Sequence, residues 1–245
     1  MINYLQLNLE ILYWLAAGPF KKKGFKSLHV FQQMMRIGVD ALPMVCLTTF
    51  SIGLTLAMQG AGTLEKMGAE QFVPNLVSIS LLRELGPLLV AMIVIGRSGS
   101  SVTAELGAMK VAEEIEALEV MAVDPIRYLI VPRFLAMMIM VPALTVFGNC
   151  VAMVGGWTIC HFALDMSTPY YIVGLIEPAE LDDLYSGIVK SVAFAWLIAT
   201  IACNSGLEVT GGAEGVGRAT TQSVVYSLLS VLITNAILTA FFFFL

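Results

Sequence analysis

Five apolar stretches dominate the chain, and most polar positions fall between them. They are Ala41 to Leu64, Phe72 to Gly96, Phe134 to Leu164, Tyr185 to Leu207 and Ala219 to Leu245. Each stretch meets the requirement of about 20 mostly apolar residues for a helix that crosses a bilayer. The pattern predicts an all-α polytopic membrane protein with five transmembrane helices.

The opening segment follows a different pattern. In MINYLQLNLEILYWLAAGPFKKK, Leu5, Leu9 and Leu12 recur at helical spacing with aromatic residues, and a basic run follows them. This arrangement is typical of a helix lying in the membrane interface. The basic run follows the apolar stretch, so a cleavable signal is not expected. We predict one domain over residues 1–245, with the interfacial helix and a basic entry segment in 1–40 and the transmembrane core in 41–245.

The composition agrees with a membrane protein. The chain is 58% hydrophobic and 13% charged, against about 25% charged in ordinary globular domains, and its mean hydropathy is +0.85. No basic block indicates nucleic-acid binding. The four cysteines lie in or beside apolar runs without CxxC spacing, so we expect neither a metal site nor a disulfide.

The distribution of Lys and Arg predicts the orientation. Ten of the thirteen basic residues fall on one side of the five spans: Lys21, Lys22, Lys23, Lys26, Arg36, Arg97, Lys110, Arg127, Arg133 and Arg218. Basic residues are enriched in cytoplasmic loops. We therefore expect a cytoplasmic N-terminus and a C-terminus on the outer side.

Arg83 and Glu84 interrupt the second span near its middle. Ionisable residues at that depth are costly unless they face protein or a water-filled cavity. Neighbours on a helix point about 100° apart, so the two do not pair ideally with each other. Pro87 leaves the Arg83 carbonyl without its helical donor, and we expect a kink there, with the Arg83 side chain reaching that carbonyl or a neighbouring helix. The pair has two possible roles, and the sequence does not choose between them. It could lock helices or subunits together, or it could form a polar lining of a substrate path.

A second polar segment lies between spans two and three. From Glu105 to Asp124 the sequence predicts a short amphipathic acidic helix. Its apolar positions are Leu106, Met109, Ile115, Leu118 and Ala122, and its acidic positions are Glu113, Glu114, Glu116 and Glu119. A solvated charged face would explain the acids alone, but a tethered apolar stripe needs a partner. The pattern favours a docking element.

Two short motifs indicate other functions. Gly96-x-Ser98-Gly99 matches the serine motif of rhomboid-type intramembrane proteases, with His29 or His161 as the base. The predicted topology places Ser98 and His161 on opposite sides of the membrane, whereas a nucleophile and its base must lie within hydrogen-bond reach. Gly212 and Gly217 have phosphate-loop spacing, but Arg218-Ala219 replaces the required Lys and Ser/Thr. Neither a protease nor a nucleotide site is favoured.

Taken together, two segments resemble a known family. RELGPLLVAMIVIGRSGSSVTAELGAMKVAEEIEALEVMAVDPIRYLIVPRF and GGAEGVGRATTQSVVYS are similar to the MlaE (YrbE-like) permeases of ABC-type phospholipid transporters. The resemblance covers most of the chain and is weakest before residue 40 and in 165–185.

The resemblance implies a permease subunit of an ATP-driven phospholipid transporter in the inner membrane of a Gram-negative bacterium, contributing to outer-membrane lipid asymmetry. It implies a homodimer, a cytoplasmic ABC ATPase that binds ATP and Mg, and a periplasmic MCE-domain protein, and it allows a small STAS-domain protein. The chain itself is expected to hold no cofactor. The alternatives are a stand-alone lipid scramblase or scaffold and a serine protease using Ser98.

The resemblance also assigns candidate residues. The Glu105–Asp124 segment becomes the coupling helix that fits the ATPase. Arg83 and Glu84 fall beside a lipid-binding cavity between subunits. Residues that could offer the acyl chains an apolar wall are Leu54, Met58, Pro74, Leu76 and Leu81.

Overall fold

The computed structural model describes residues 4–17 and 27–244, and within these ranges the chain forms helices and turns without a β-strand. The α-helices are α1 (Tyr4–Ala17), α2 (Ser27–Gly38), α3 (Leu42–Leu64), α4 (Val73–Ser80), α5 (Gly86–Val94), α6 (Ser100–Val111), α7 (Glu114–Val120), α8 (Val131–Phe162), α9 (Thr168–Ile176), α10 (Leu181–Leu207) and α11 (Gly212–Phe244). The predicted all-α class is confirmed. Lys21, Lys22, Lys23 and Lys26 of the predicted basic segment lie outside the described residues.

Among the residues that the structure describes, five helical stretches are long and apolar enough to cross a membrane, as predicted. They are Leu28–Met67, Glu70–Val111, Ile126–Phe162, Leu181–Leu207 and Gly212–Phe244. All five begin before the corresponding predicted apolar stretch, because hydropathy marks only the part of a helix that lipid requires to be apolar. The largest differences are at the start of the first span and the end of the second.

Three π-helical turns interrupt this architecture, at Leu81–Leu85, Ile95–Gly99 and Ile126–Ile130. In the first, the Gly86 N–H bonds to the Leu81 carbonyl, five residues back. Pro87 follows directly, and a proline can neither donate to the carbonyl four residues earlier nor pack against it. The irregularity expected at Pro87 therefore takes the form of a widened turn, which is frequent at functional sites.

The predicted acidic helix over Glu105–Asp124 is wrong as a single helix. Its first part belongs to α6, which ends at Val111, and α7 begins at Glu114. Glu113 separates the two helices with a left-handed φ of 57°. The 3.6-residue pattern persisted across this break, so periodicity alone did not reveal it.

The described chain packs as two compact units, each assembled from three stretches. Unit 1 comprises residues 1–41, 91–141 and 193–234, and unit 2 comprises 42–90, 142–192 and 235–245.

In unit 1, α1 packs through one face and exposes the other. Leu7 and Ile11 are fully buried, whereas Leu5 and Leu9 are more than 60% exposed. The Tyr4 hydroxyl lies 2.9 Å from the Thr200 hydroxyl. The exposed leucine stripe is the one that the sequence singled out, and its placement in a membrane interface stays a prediction.

In unit 2, the backbones of α3 and α8 approach closely. A Cβ added at Gly53 would overlap the Ala152 carbonyl, and one added at Gly155 would overlap the Phe50 carbonyl. Small residues allow such close packing of membrane helices. The Tyr171 hydroxyl donates to the Met153 carbonyl at 2.7 Å, which fixes α9 against α8.

Candidate functional site

Arg83 and Glu84 each form an ion pair with α10. Arg83 Nε pairs with Asp183, and Glu84 pairs with Lys190. Asp183 and Lys190 are seven residues apart, which is two helical turns, so they lie on the same face of α10. Arg83 and Glu84 thus pair with other residues and not with each other, in agreement with the 100° between neighbouring helix positions.

Lys190 is the centre of the cluster. Besides Glu84, its ammonium donates to the Arg83 carbonyl at 3.0 Å and to the Thr239 hydroxyl at 2.9 Å. These three contacts use all three donors of a lysine. Glu84 in turn accepts from Asn235 Nδ2 at 3.2 Å and lies 2.8 Å from the Thr239 hydroxyl. The turn before α5 is thereby tied to α10 and to α11.

The four charges differ in exposure. The side chains of Asp183 and Lys190 are each 2% exposed, whereas those of Arg83 and Glu84 are 53% and 34% exposed. The buried charges therefore depend on the exposed ones for compensation. Because two cations face two anions, this group of four has no net charge.

A cavity of about 130 Å³ adjoins the cluster. Its lining residues are Arg83, Glu84, Asp182, Ser186, Lys190, Thr239, Phe242 and Phe243. The charged groups of the cluster thus lie beside aromatic side chains from the end of α11. Such a surface offers both polar and apolar contacts to an amphiphile. Whether a lipid headgroup binds here stays a prediction.

The residues predicted to form an apolar wall do not all reach a surface. Leu81 is 1% exposed and belongs to the core of unit 2. Pro74 is buried against Gly174 of α9. For these two the expectation is corrected, because their side chains already fill the protein interior. Met58 and Leu76 are 55% and 40% exposed, and Leu54 is half-buried.

Two residues of the predicted docking stripe face inward. Leu106 is fully buried against Gly206, and Ile115 is 5% exposed. Met109 and Leu118 are half-buried. Leu106 and Ile115 therefore pack inside unit 1 and are not free to bind a partner, whereas Ala122 of the predicted stripe is exposed.

Glu105 belongs to a partly exposed charged network of unit 1. It pairs with Arg36 at 2.8 Å and with Arg133 at 3.1 Å. Glu116 pairs with Lys110, and the hydrogen bond from this lysine lowers the pKa of the Glu116 carboxyl. The other acids of the segment, Glu113, Glu114 and Glu119, are exposed.

The free surface of this segment contains apolar residues that the sequence analysis did not select. Val120 and Met121 are 89% and 65% exposed, and Val111 is 43% exposed. All three lie at or beyond helix ends, where a continuous helical period no longer predicts which way a side chain points. They are the better candidates for a docking surface.

Ser98 has a structural role. It is 3% exposed, and its hydroxyl donates to the Ile37 carbonyl at 3.3 Å. His29 packs edge-on against Tyr128, and His161 Nδ1 lies 3.1 Å from the Met166 carbonyl. Within the described ranges neither histidine hydrogen-bonds to Ser98. The geometry does not support the protease alternative.

Sequence reasoning missed four residues of the ion-pair cluster: Asp183, Lys190, Asn235 and Thr239. Asp183 lay outside the predicted fourth span, which began at Tyr185. Asp183 and Lys190 are seven residues apart, and this spacing could have indicated that both lie on one helix face and can pair with Arg83 and Glu84. Asn235 and Thr239 are also one turn apart in the last span, which is otherwise strongly apolar.

The chain is similar to known proteins along most of its length. The family model described as Permease MlaE matches residues 30–241. The intermembrane phospholipid transport system permease protein MlaE of Haemophilus influenzae is 38% identical, covering 92% of this chain and 86% of that protein. A probable ABC transporter permease protein of Rickettsia typhi is 39% identical, with 87% and 83% covered. One from Synechocystis is 36% identical, with 93% and 90% covered.

Proposed function

This chain belongs to the MlaE permease family, and we propose that it is the membrane subunit of an ATP-driven phospholipid transporter. It moves phospholipid between the inner membrane of a Gram-negative bacterium and a periplasmic MCE-domain partner, contributing to outer-membrane lipid asymmetry. ATP and Mg bind to a separate cytoplasmic ATPase. The Haemophilus relative is named for phospholipid transport, which supports the choice of substrate.

The ion-pair cluster of unit 2 is the observation that carries this proposal. A phospholipid headgroup combines a phosphate with polar or cationic groups, and its acyl chains need apolar surface. Arg83 offers guanidinium donors suited to phosphate, and Glu84 offers a carboxylate to a cationic group. Phe242 and Phe243 line the same cavity. Binding would require only a shift of partly exposed side chains, since Asp183 and Lys190 stay buried.

The ATPase binds through the segment after α6. Val120 and Met121 provide exposed apolar contacts, and Glu114 and Glu119 provide exposed charges beside them. A helix end with protruding apolar residues can insert into a groove of a partner. Glu113 in its left-handed turn directs α7 away from the line of α6 and so makes it a separate element.

The remaining parts of the proposal concern assembly and orientation. The permease forms a homodimer, with a small cytoplasmic STAS-domain protein as a further partner. Its N-terminus is cytoplasmic and its C-terminus periplasmic. A cysteine-free variant with one cysteine at Ser167 or Gly212 tests the orientation. An impermeant maleimide added outside should label only position 167, and labelling at 212 in intact cells would contradict it.

The proposed activity is tested with the permease purified together with the ATPase and MCE-domain protein from the same genome. Reconstituted into liposomes, the complex should transfer fluorescent phospholipid when ATP is supplied. Transfer should fall at least tenfold with Arg83→Gln, while Arg218→Gln, which changes an exposed arginine outside the cluster, should leave it unchanged. Equal transfer without ATPase would favour the scramblase alternative.

A further inference from the structure

Unit 1 contains a cavity that the proposed transport function does not use. It lies between α2 and the start of α8 and has a volume of about 190 Å³. Its lining residues are His29, Gln32, Gln33, Tyr128, Leu129, Pro132 and Arg133. This volume is well above the minimum that holds one water molecule, so a larger group fits.

Arg133 lines this cavity and has one unmet hydrogen-bond donor. The residue is 4% exposed. One terminal nitrogen donates to the Leu129 carbonyl at 2.9 Å, and the other pairs with Glu105. Its Nε is buried without a hydrogen-bond partner among the described residues. A buried guanidinium N–H without an acceptor is unfavourable, and a charged acceptor forms the stronger bond with it.

The local charge favours an anion. Glu105 is shared between Arg133 and Arg36, so two guanidinium groups face one carboxylate. This network retains one positive charge in excess. A phosphate near Arg133 would balance that charge.

Gln33 lacks a hydrogen-bond donor, whereas Arg133 lacks an acceptor. Its Oε1 is buried and also lacks a partner within the part of the chain that the structure describes. A carbonyl oxygen of this kind needs a donor. One ligand that carries an anionic acceptor and an N–H or O–H donor would satisfy both Gln33 and Arg133.

We propose that this cavity binds the headgroup of a membrane phospholipid, and that the side chains of Arg133 and Gln33 turn toward it, so that Arg133 Nε donates to the phosphate and Gln33 Oε1 accepts from the ammonium or hydroxyl. Leu28 and Phe31 of α2 are 63% and 60% exposed, and Tyr128 at the cavity is 42% exposed. These side chains offer apolar surface to the acyl chains. Free phosphate shares the headgroup's chemistry but would leave this surface unused. The site involves none of the residues of the ion-pair cluster.

The experiment measures ligand-dependent thermal stability of the purified, delipidated protein. The probes are phosphatidylethanolamine, phosphatidylcholine, diacylglycerol and inorganic phosphate. Phosphatidylcholine keeps the phosphate but has neither an N–H nor an O–H donor, and diacylglycerol has one hydroxyl but no phosphate. A ligand that binds the folded state raises the melting temperature, here by about 3 °C or more near saturation. Each variant is compared with its own ligand-free state, which separates binding from intrinsic stability.

The expected result is a larger shift with phosphatidylethanolamine than with phosphatidylcholine, and little shift with diacylglycerol. Gln33→Leu should make the two phospholipids equal, since it removes the acceptor and leaves the Arg133–Glu105 pair intact. Arg133→Lys keeps the charge but lacks Nε, and should reduce both shifts. Gln71→Leu, the same change at an exposed position outside the cavity, should behave as wild type.

Two results would overturn the proposal. Equal phospholipid shifts in wild type and in Gln33→Leu and Arg133→Lys would place lipid binding elsewhere and leave only water in this cavity. A shift with millimolar inorganic phosphate alone, removed by Arg133→Lys, would identify free phosphate as the ligand. If Arg133→Lys does not fold, Gln33→Leu alone decides, because a preserved preference for phosphatidylethanolamine contradicts the assigned contact.

Discussion

The ammonium of Lys190 lies 3.0 Å from the backbone carbonyl of Arg83. In a regular α-helix residue 87 would donate a hydrogen bond to that carbonyl, but Pro87 has no N–H to donate. A buried lysine on α10 therefore supplies the missing hydrogen bond and neutralises Glu84 with the same group. The sequence led us to expect the Arg83 side chain at this carbonyl or at a neighbouring helix, and it pairs with Asp183 of α10.

Replacing Lys190 with Met should strongly destabilise the protein. The change leaves the Arg83 carbonyl and the Glu84 carboxylate without their main donor. Removing one partner of a buried ion pair typically costs about 3–5 kcal/mol. Thermal unfolding of the purified protein should show a large fall in melting temperature, and the double variant with Glu84→Gln should recover part of it. No recovery in the double variant would indicate that the pair itself contributes little.

Thr239→Val is the matched smaller change. It removes one hydroxyl that contacts both Lys190 and Glu84, while the ion pair remains. The expected loss is about 1 kcal/mol, typical of a single hydrogen bond. A loss as large as that of Lys190→Met would mean that the hydroxyl, not the ion pair, holds α11 to the cluster.

Arg83→Lys should separate transport from folding. A lysine can still pair with buried Asp183, so melting temperature should stay within the range of a 1 kcal/mol change. A lysine lacks the planar, two-pronged guanidinium that suits phosphate. Co-purified phospholipid and ATP-dependent transfer should therefore fall severalfold. Normal transfer by this variant would show that Arg83 acts only as the partner of Asp183.

Hydropathy along the sequence predicted where this site lies, but not which residues form its ion pairs. Hydropathy located the five spans and made Arg83 and Glu84 conspicuous, since charges in an apolar run need a partner. It did not identify the partners, because Asp183 and Lys190 lie near a span end, where charges are common. For the docking segment, the exposure of each side chain decides which residues can contact a partner. The outward orientation of Val120 depends on the break at Glu113, which only the backbone conformation reveals.

Val120→Asp should release the ATPase while the permease stays folded. Val120 is 89% exposed, so the new charge faces water in the free permease and would be buried only against a partner. The measurement is the amount of ATPase that co-purifies with tagged permease from detergent extracts. Leu106→Asp is the contrasting variant, because it places a charge in the core and should reduce the yield of permease itself. Full ATPase retention in Val120→Asp would exclude this surface as the dock.

The stability of unit 1 should vary with the ionisation of Glu10. Burial raises the pKa of this carboxyl above its ordinary value of 4.5, and nearby Asp124 raises it further. A raised acid pKa means that the folded state binds the proton more tightly than the unfolded state. The contribution is thus fully present below pH 4.5 and is lost as the pH rises through the folded-state pKa. Melting curves of Glu10→Gln should match wild type near pH 4 and exceed it at pH 7, and a deficit at pH 7 would contradict this sign.

Gly53→Ala should destabilise unit 2, and Gly62→Ala on the same helix should not. A methyl group at Gly53 would overlap the Ala152 carbonyl of α8, which is backbone and cannot rotate away. At Gly62 an added Cβ meets no atom of the described residues within 4 Å. Overpacking of this kind costs about 1–3 kcal/mol, whereas alanine in an open helical position is favourable by about 1 kcal/mol relative to glycine. The two melting temperatures should therefore move in opposite directions from wild type. A rise for both variants would show that α3 can move away from α8 without cost, and that their close approach is not required for stability.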